Sequence, residues 1–274
     1  VVFPIIDAAF IAPEVKRFEV YAPRVARYWS PGQFVILRVD EGGERIPLTV
    51  TDVSRDEGTI FLVVQGVGAT TLRLNALGPL DTIADVAGPL GAPAEIGMHG
   101  TVAVVGGGVG TAVALPIARA LAEAGNAVIA IVGGRTADLA ILTDELESFA
   151  DSVIVTTDDG SRGRRGTVTE PLAELVAEGR VDRVVAAGPI PMMRAVAQVT
   201  RSAGVPTTAS LNPIMVDGTG MCGGCRVLVG GETRFACVDG PEFDAHEVDF
   251  DLLAARNTAY CEFEKRQLME LESG

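Results

Sequence analysis

Cys222, Cys225 and Cys237 are three of the chain's four cysteines, and their types and spacing carry chemistry. A thiolate is a soft donor, so a C-x2-C pair with a third cysteine nearby points to a metal or to redox work. The segment from Val216 to Val227 reads VDGTGMCGGCRV, and Cys237 follows Cys225 by 12 positions. Three chemistries compete. Zinc wants four N or S donors in a tetrahedron and would recruit Cys261 or His246. A redox dithiol would need a βαβ setting, which this pair lacks. A plant-type [2Fe–2S] loop has the spacing C-x4-C-x2-C…C, and five positions before Cys222 stands Asp217. On that reading the ligands are Asp217, Cys222, Cys225 and Cys237, with a carboxylate in the first place. Glycines 218, 220, 223 and 224 leave room for backbone N–H groups to reach a cluster. Cys261 reads as a packed thiol of a terminal helix, and His99 and His246 as ordinary histidines.

A second set of residues suits phosphate. GGGVGTA at 106–112 follows an apolar run and opens a helical pattern. Gly107, Gly108, Val109, Gly110 and Thr111 would let a pyrophosphate approach the N–H groups of a helix N-terminus. The fit to G-x-G-x-x-G is not strict, because the third glycine would fall at Thr111; a ligand-free βα turn stays open. An ordinary NAD site carries an acidic residue after the second strand. Here the run ends Gly134-Arg135, and an arginine suits a ribose 2′-phosphate or stacks on adenine, so NAD and NADP both remain possible. Asp158, Asp159, Gly160 and Ser161 could grip ribose or adenine, and Gly188, Pro189 and Met192 would set backbone beside a nicotinamide. Upstream, RIPLT brings Arg45, Pro47, Leu48 and Thr49 together. The strand ending in Val63, Val64 and Gln65 runs into GVGATT, where Gly68, Thr70 and Thr71 offer N–H and hydroxyl donors.

The elements that must hold these residues follow from pattern. Over 1–99, runs at 16–21, 33–39, 46–51 and 59–65 are separated by turn signals at 31–32, 42–43 and 88–89, which reads as an antiparallel β-barrel or sandwich. Over 100–208, runs at 101–105, 127–132, 152–156 and 183–187 alternate with helical patterns at 111–124, 138–148, 169–178 and 190–203, with a possible fifth strand at 205–210. Strands apolar throughout are buried on both faces, so this is a parallel sheet covered by helices. Region 209–274 holds the cysteine loop and a helical pattern over 250–269.

The chain's 274 residues and 48% hydrophobic content allow two domains and an appendage. A net charge of −14 would repel a phosphate backbone, which argues against nucleic acid. No span is apolar enough to enter a membrane, the start lacks the features of a signal peptide, and clustered thiols suit a reducing compartment, so the cytoplasm is expected.

The order of the three regions resembles the ferredoxin–NADP reductase-like superfamily with a C-terminal iron–sulfur loop. RIPLT looks like its flavin strand, GATT like its flavin-pyrophosphate turn, and GGGVGTA and AGPIPMM like its nicotinamide-nucleotide loops. PGQFVILRVDEGGERIPLT, SLNPIMVDGTGMCGGC and FACVDGPEFDAHEVDFD are similar to the small-subunit family of NADH-dependent reduced ferredoxin:NADP⁺ oxidoreductases, whose relatives include a sulfide dehydrogenase subunit. More distantly, the chain is similar to electron-transfer subunits of dihydroorotate dehydrogenase, whose loop carries four cysteines. In the close family a carboxylate replaces the first cysteine, and Asp217 matches it. At the nicotinamide loop Ala187 stands where the superfamily usually has Cys. The resemblance implies FAD, a [2Fe–2S] cluster and NAD(H). It also implies a large flavoprotein/iron–sulfur partner served by ferredoxin, in an electron-bifurcating complex, and no catalytic side chain beyond the cofactors.

Overall fold

The computed structural model describes residues 2–273, with side chains described through Met269. The first unit is a seven-stranded antiparallel sheet: β1 (Phe3–Ala12), β2 (Val15–Tyr21), β3 (Phe34–Arg38), β4 (Arg45–Ser54), β5 (Thr59–Gln65), β6 (Thr82–Ile83) and β7 (Asp85–Leu90). The order β6-β1-β2-β5-β4-β3-β7 puts β6 and β7 at opposite ends, yet only Ala84 separates them in sequence. The two edges are therefore drawn together and the sheet curls into a nearly closed barrel, which removes exposed edges. Alternate residues fill it: Phe18 and Val20 of β2, Ile60, Leu62 and Val64 of β5, and Val35 and Leu37 of β3 are all buried. Two short helices, α1 (Pro23–Tyr28) and α2 (Ala69–Ala76), complete the unit.

Two features depart from the sequence expectation. Phe3–Ala12 is a strand although its apolar start carries no turn signal. Gly88-Pro89, expected to mark a turn, lies inside β7. That strand ends the sheet order, and its register to β3 shifts between Phe34 and Ile36, so the missing proline N–H falls at an edge irregularity.

The second unit alternates as the apolar runs require. In order come β8 (Thr101–Gly107), α3 (Gly110–Glu123), β9 (Ala127–Gly134), α4 (Thr143–Glu147), β10 (Ser152–Thr157), β11 (Arg164–Arg165), α5 (Thr169–Ala177), β12 (Arg183–Ala187), α6 (Ile190–Arg201) and β13 (Thr207–Ser210). The sheet order is β11-β10-β9-β8-β12-β13, all parallel, with β16 (Glu242–Asp244) added antiparallel to β13. Chain direction across the sheet reverses between β8 and β12, the crevice where open α/β sheets bind ligands. The helical pattern expected over 138–148 is broken into a 3-10 turn at Ala137–Leu139 and α4, with Leu142 left-handed between them (φ 59°).

The third region adds the hairpin β14 (Arg226–Val229) and β15 (Glu232–Phe235), then α7 (Phe250–Asn257) and α8 (Cys261–Ser273). The single helix expected over 250–269 is thus two, and Cys261 opens the second. Helix α8 returns to pack beside α2. The region is tied to the others: β16 extends the second sheet, and Cys225, Cys237 and Met215 share one apolar cluster with Phe34 and Ile36 of the barrel. Position 208, the expected end of the second region, falls within β13. No helix among the described residues is long and apolar enough to cross a membrane.

Candidate functional site

One cleft of about 850 Å³ runs between the three regions. Its barrel wall is Pro47, Leu48 and Thr49 of β4, Val63 and Gln65 of β5, and Phe34 of β3. The period of two along β5 explains why Val63 and Gln65 face the cleft while Val64 lies in the barrel core. Arg45 is exposed and does not line the cleft.

Gly68, Thr70 and Thr71 lie outside the cleft lining and form the start of α2. Gly68 is its N-cap, and Thr71 Oγ1 accepts from the N–H groups of Val67 and Gly68, both at 3.0 Å. Thr70 Oγ1 donates to Glu44 Oε2 at 2.6 Å.

The opposite wall is the carboxyl edge of the second sheet. Gly107, Gly108, Val109 and Gly110 line it after β8, Gly134 and Arg135 after β9, Asp158 after β10, and Gly188, Pro189 and Met192 after β12. At Gly110 the start of α3 is pressed against the end of β12. A Cβ there would lie 2.4 Å from the Ala187 carbonyl oxygen and 2.5 Å from Gly188 Cα. This glycine is thus demanded by backbone packing at the switch point, whatever the loop binds. Thr111 is buried behind the wall. Its Oγ1 and that of Thr156, a cleft residue, are sealed and have no partner among the described residues. Unsatisfied hydroxyls beside a cleft fit a polar ligand.

Asp159, Gly160 and Ser161 do not line the cleft. Asp159 Oδ1 accepts from Ser161 N at 2.9 Å and Ser161 Oγ at 2.6 Å, which holds its carboxyl below the usual range. Ser161 Oγ in turn accepts from Ala137 N at 2.8 Å, so these residues brace the loop after β9.

The cysteine loop lies on the barrel. Gly218 has φ 75°, and a Cβ there would meet Leu90 Cδ1 at 2.5 Å and Ile36 Cγ1 at 3.0 Å. Ile36 pairs directly with Pro47 across β3 and β4, so the loop sits one strand from the cleft's barrel wall.

The four sulfur and carboxylate groups fall into two pairs. Cys225 and Cys237 are buried with their Sγ atoms 3.2 Å apart, and burial with that contact pushes the Cys237 thiol up to about 12. Asp217 and Cys222 are on the outer side. Asp217 Oδ1 accepts from Thr219 N at 2.9 Å and Oδ2 from Cys222 N at 2.8 Å, which lowers the Asp217 pKa. Gly224 N points at Cys222 Sγ, 3.4 Å away.

Among the described residues no three His, Cys, Asp or Glu side chains converge on a single metal position. Zinc needs four donors around one ion, whereas a two-iron cluster takes two donors per iron. The auxiliary zinc donors are engaged elsewhere: His246 Nε2 is 2.9 Å from Thr200 Oγ1, and Cys261 Sγ is 4.0 Å from the Asn257 carbonyl.

Several lining residues escaped sequence reasoning. Ser210, Leu211, Asn212, Pro213 and Met215 close the cleft beside Pro241. They follow β13 at its carboxyl end, so the same edge rule could have found them. Glu242 has no sequence signal. It is marked only by its surroundings, a carboxyl sealed between β13 and the turn at Gly32.

A family model described as the iron–sulfur cluster binding domain of dihydroorotate dehydrogenase B matches residues 212–249. A Thermotoga maritima protein described as a dihydroorotate dehydrogenase B (NAD(+)) electron transfer subunit homolog is 50% identical over 261 residues, covering 95% of this chain and 92% of that one. The Desulforamulus reducens electron transfer subunit is 31% identical over 246 residues, 87% of this chain and 94% of its own. A solved structure of the NADH-dependent reduced ferredoxin–NADP oxidoreductase, described in work on flavin-based electron bifurcation, superposes with TM-score 0.94 at 48% identity over 99% of this chain and 98% of that chain. The ferredoxin reductase of carbazole 1,9a-dioxygenase, at 18% identity and TM-score 0.62 over 75% of this chain and 66% of its own, shares the fold. With half its residues identical over nearly the full length of both proteins, the chain belongs to the family of dihydroorotate dehydrogenase B electron transfer subunits and their homologues.

Proposed function

We propose that this chain is the pyridine-nucleotide-facing subunit of an electron-transfer flavoprotein complex, holding FAD and a [2Fe–2S] cluster and taking electrons from NADH. The observation that carries this is continuity. Phe34 and Met215 line the cleft and belong to the same apolar cluster as Cys225 and Cys237. A packed wall, not solvent, separates the cleft from the cysteines.

The residues fit the groups. Pro47, Leu48, Thr49, Val63 and Gln65 offer a flat, half-buried wall for a flavin ring, with Arg45, Val64, Gly68, Thr70 and Thr71 as its further contacts through backbone and the start of α2. Gly107 to Thr111, Gly134, Arg135, Asp158 to Ser161, Gly188, Pro189 and Met192 would hold the nucleotide. Asp217 and Cys222 would serve one iron, Cys225 and Cys237 the other. A bound flavin supplies the conversion of a two-electron hydride into single electrons. The chain's own residues bind, orient and exclude water. Burial and the contact with Cys225 hold the Cys237 thiol neutral, and a bound cation would ionise it. Asp217, a harder donor than thiolate, sets the charge and hydrogen bonding on the outer side.

The partner in this reading is a large flavoprotein/iron–sulfur subunit that deals with ferredoxin and NADP(H), in a cytoplasmic complex that bifurcates electrons. An electron-transfer subunit for a dihydroorotate dehydrogenase is the second reading, favoured by the names of the relatives. Anaerobic purification should give a coloured protein containing iron and FAD, and stopped-flow mixing should show faster flavin reduction by NADH than by NADPH. A colourless, iron-free protein rejects the cofactor set, and a preference for NADPH rejects the nucleotide. Co-purification of the native complex separates the two partner readings.

A further inference from the structure

Glu242 is a carboxyl that the foregoing chemistry does not use. It lies on β16, where the third region joins the second sheet, next to Pro241 of the cleft lining. Its Oε1 accepts from Ser210 Oγ at 3.0 Å, and Ser210 lines the cleft. Its Oε2 is sealed and has no partner among the described residues. That oxygen points at the Gly32 turn, where a Cβ on Gly32 would lie 3.0 Å from it and 2.9 Å from Ala94 N.

The elements packed around the carboxyl bring no charge. Ser210 is uncharged, as are the segments Pro31–Gln33 and Gly91–Ala94. Along its own strand Asp244 is exposed, its Oδ1 accepting from His246 N at 2.9 Å, and Asp239 Oδ2 accepts from Phe235 N at 2.7 Å. Glu95, the next titratable group along from Ala94, pairs with Arg183 at 3.0 Å. A carboxylate with an unpaired buried oxygen and no cation nearby is costly, so this group favours its protonated form.

We propose that Glu242, with Ser210 as its link to the cleft, takes up a proton when the chain is reduced. The inference rests on the reading above, in which electrons enter through the cleft. In balance, Ser210 passes its hydroxyl proton to Glu242 Oε1 and takes one from water in the cleft. The serine ends unchanged and the carboxylate ends as a carboxylic acid. The electrons come from the pyridine nucleotide and the proton from solvent. Added negative charge near a carboxyl whose packed neighbours carry no cation makes the neutral acid favoured, and the uptake offsets that charge. Burial already pushes the Glu242 pKa up to about 7, so the group is poised where a modest change in charge alters its occupancy.

The test is an infrared difference spectrum of the purified full chain, oxidised against dithionite-reduced, from pH 6 to 9. Above pH 7, reduction should produce a carboxylic-acid C=O band. Glu242→Gln should lack it, and Ser210→Ala, which removes only a hydroxyl, should shift it. The proposal is overturned if a fully reduced Glu242→Gln protein gives the parent spectrum, or if Ser210→Ala leaves the band in place. A chain that accepts no electrons overturns this proposal and the preceding reading together, whereas normal reduction without the band overturns this one alone.

Discussion

Asp217 does two jobs that can be separated. Its oxygens accept the N–H groups of Thr219 and Cys222, so it braces its own loop, and in the function proposed above it would also be the first cluster ligand. Asp217→Cys should keep a two-iron cluster, because the donor count is preserved, but change its midpoint potential. Redox titration followed by EPR measures this, and loss of iron would mean that bracing is the residue's whole role. Glu242 makes a prediction of opposite character. Its folded pKa is raised, so the folded state holds the proton more tightly than the unfolded chain. The stabilisation is fully present below the unfolded value of 4.5 and is lost as pH rises through about 7. Glu242→Gln should remove that dependence, with a parent-minus-variant change on the order of 3 kcal/mol between pH 4.5 and 8 in denaturant titrations.

Among the elements, the turns after β8 and β12 make the clearest case. Gly110→Ala would drive a Cβ into the Ala187 carbonyl and Gly188 Cα, both backbone, so the two turns must separate. Gly107→Ala would meet Met192 Sδ at 2.4 Å, the end of a flexible side chain that can turn away. The first variant should lose nucleotide affinity roughly 5- to 150-fold and the second much less, as a backbone shift of this kind costs on the order of 1–3 kcal/mol. Equilibrium titration with NADH decides it, and equal losses would refute the packing argument. The same contrast explains the sequence pattern: Gly106, where a Cβ would lie 2.7 Å from Thr111 Cα, and Gly110 both answer to the packing of α3, and a regular fingerprint is unnecessary.

At the scale of the whole molecule, apolar clusters shared between the units are supplemented by specific polar contacts. Asn126 is buried at the end of α3. Its Oδ1 accepts from His99 N at 2.6 Å, while its Nδ2 donates to Gly97 O and Leu121 O, each at 2.8 Å. It therefore pins the connector between barrel and sheet. Asn126→Ala would leave the half-buried His99 N–H and Gly97 carbonyl without this partner and should cost about 1–3 kcal/mol, read from a lowered urea midpoint. By comparison Arg119→Ala, which breaks a half-exposed pair with Asp52 across the same junction, should cost less than about 1 kcal/mol. A larger loss for Arg119 than for Asn126 would reverse this order.

The local residues by themselves determined much. Apolar runs announced β8, β9, β10 and β12, a shorter run offered β13, and the spacing from Asp217 to Cys225 pointed to a metal loop with zinc still open, because these are properties of adjacent positions. They did not announce the breaks at Leu142 and at 258–260, where helical periodicity continues through the interruption. Nor did they place Gly88-Pro89 inside a strand, since what makes proline tolerable there is the edge position of β7. The cleft itself was decided only by tertiary structure. Cys225 and Cys237 meet in one apolar cluster with Phe34 and Ile36, nearly 200 positions earlier in the chain, and Glu242 becomes a sealed carboxyl only where β16 meets Ser210 and Gly32. Burial and partnership of this kind depend on which distant segments pack together, and no spacing along the chain encodes them.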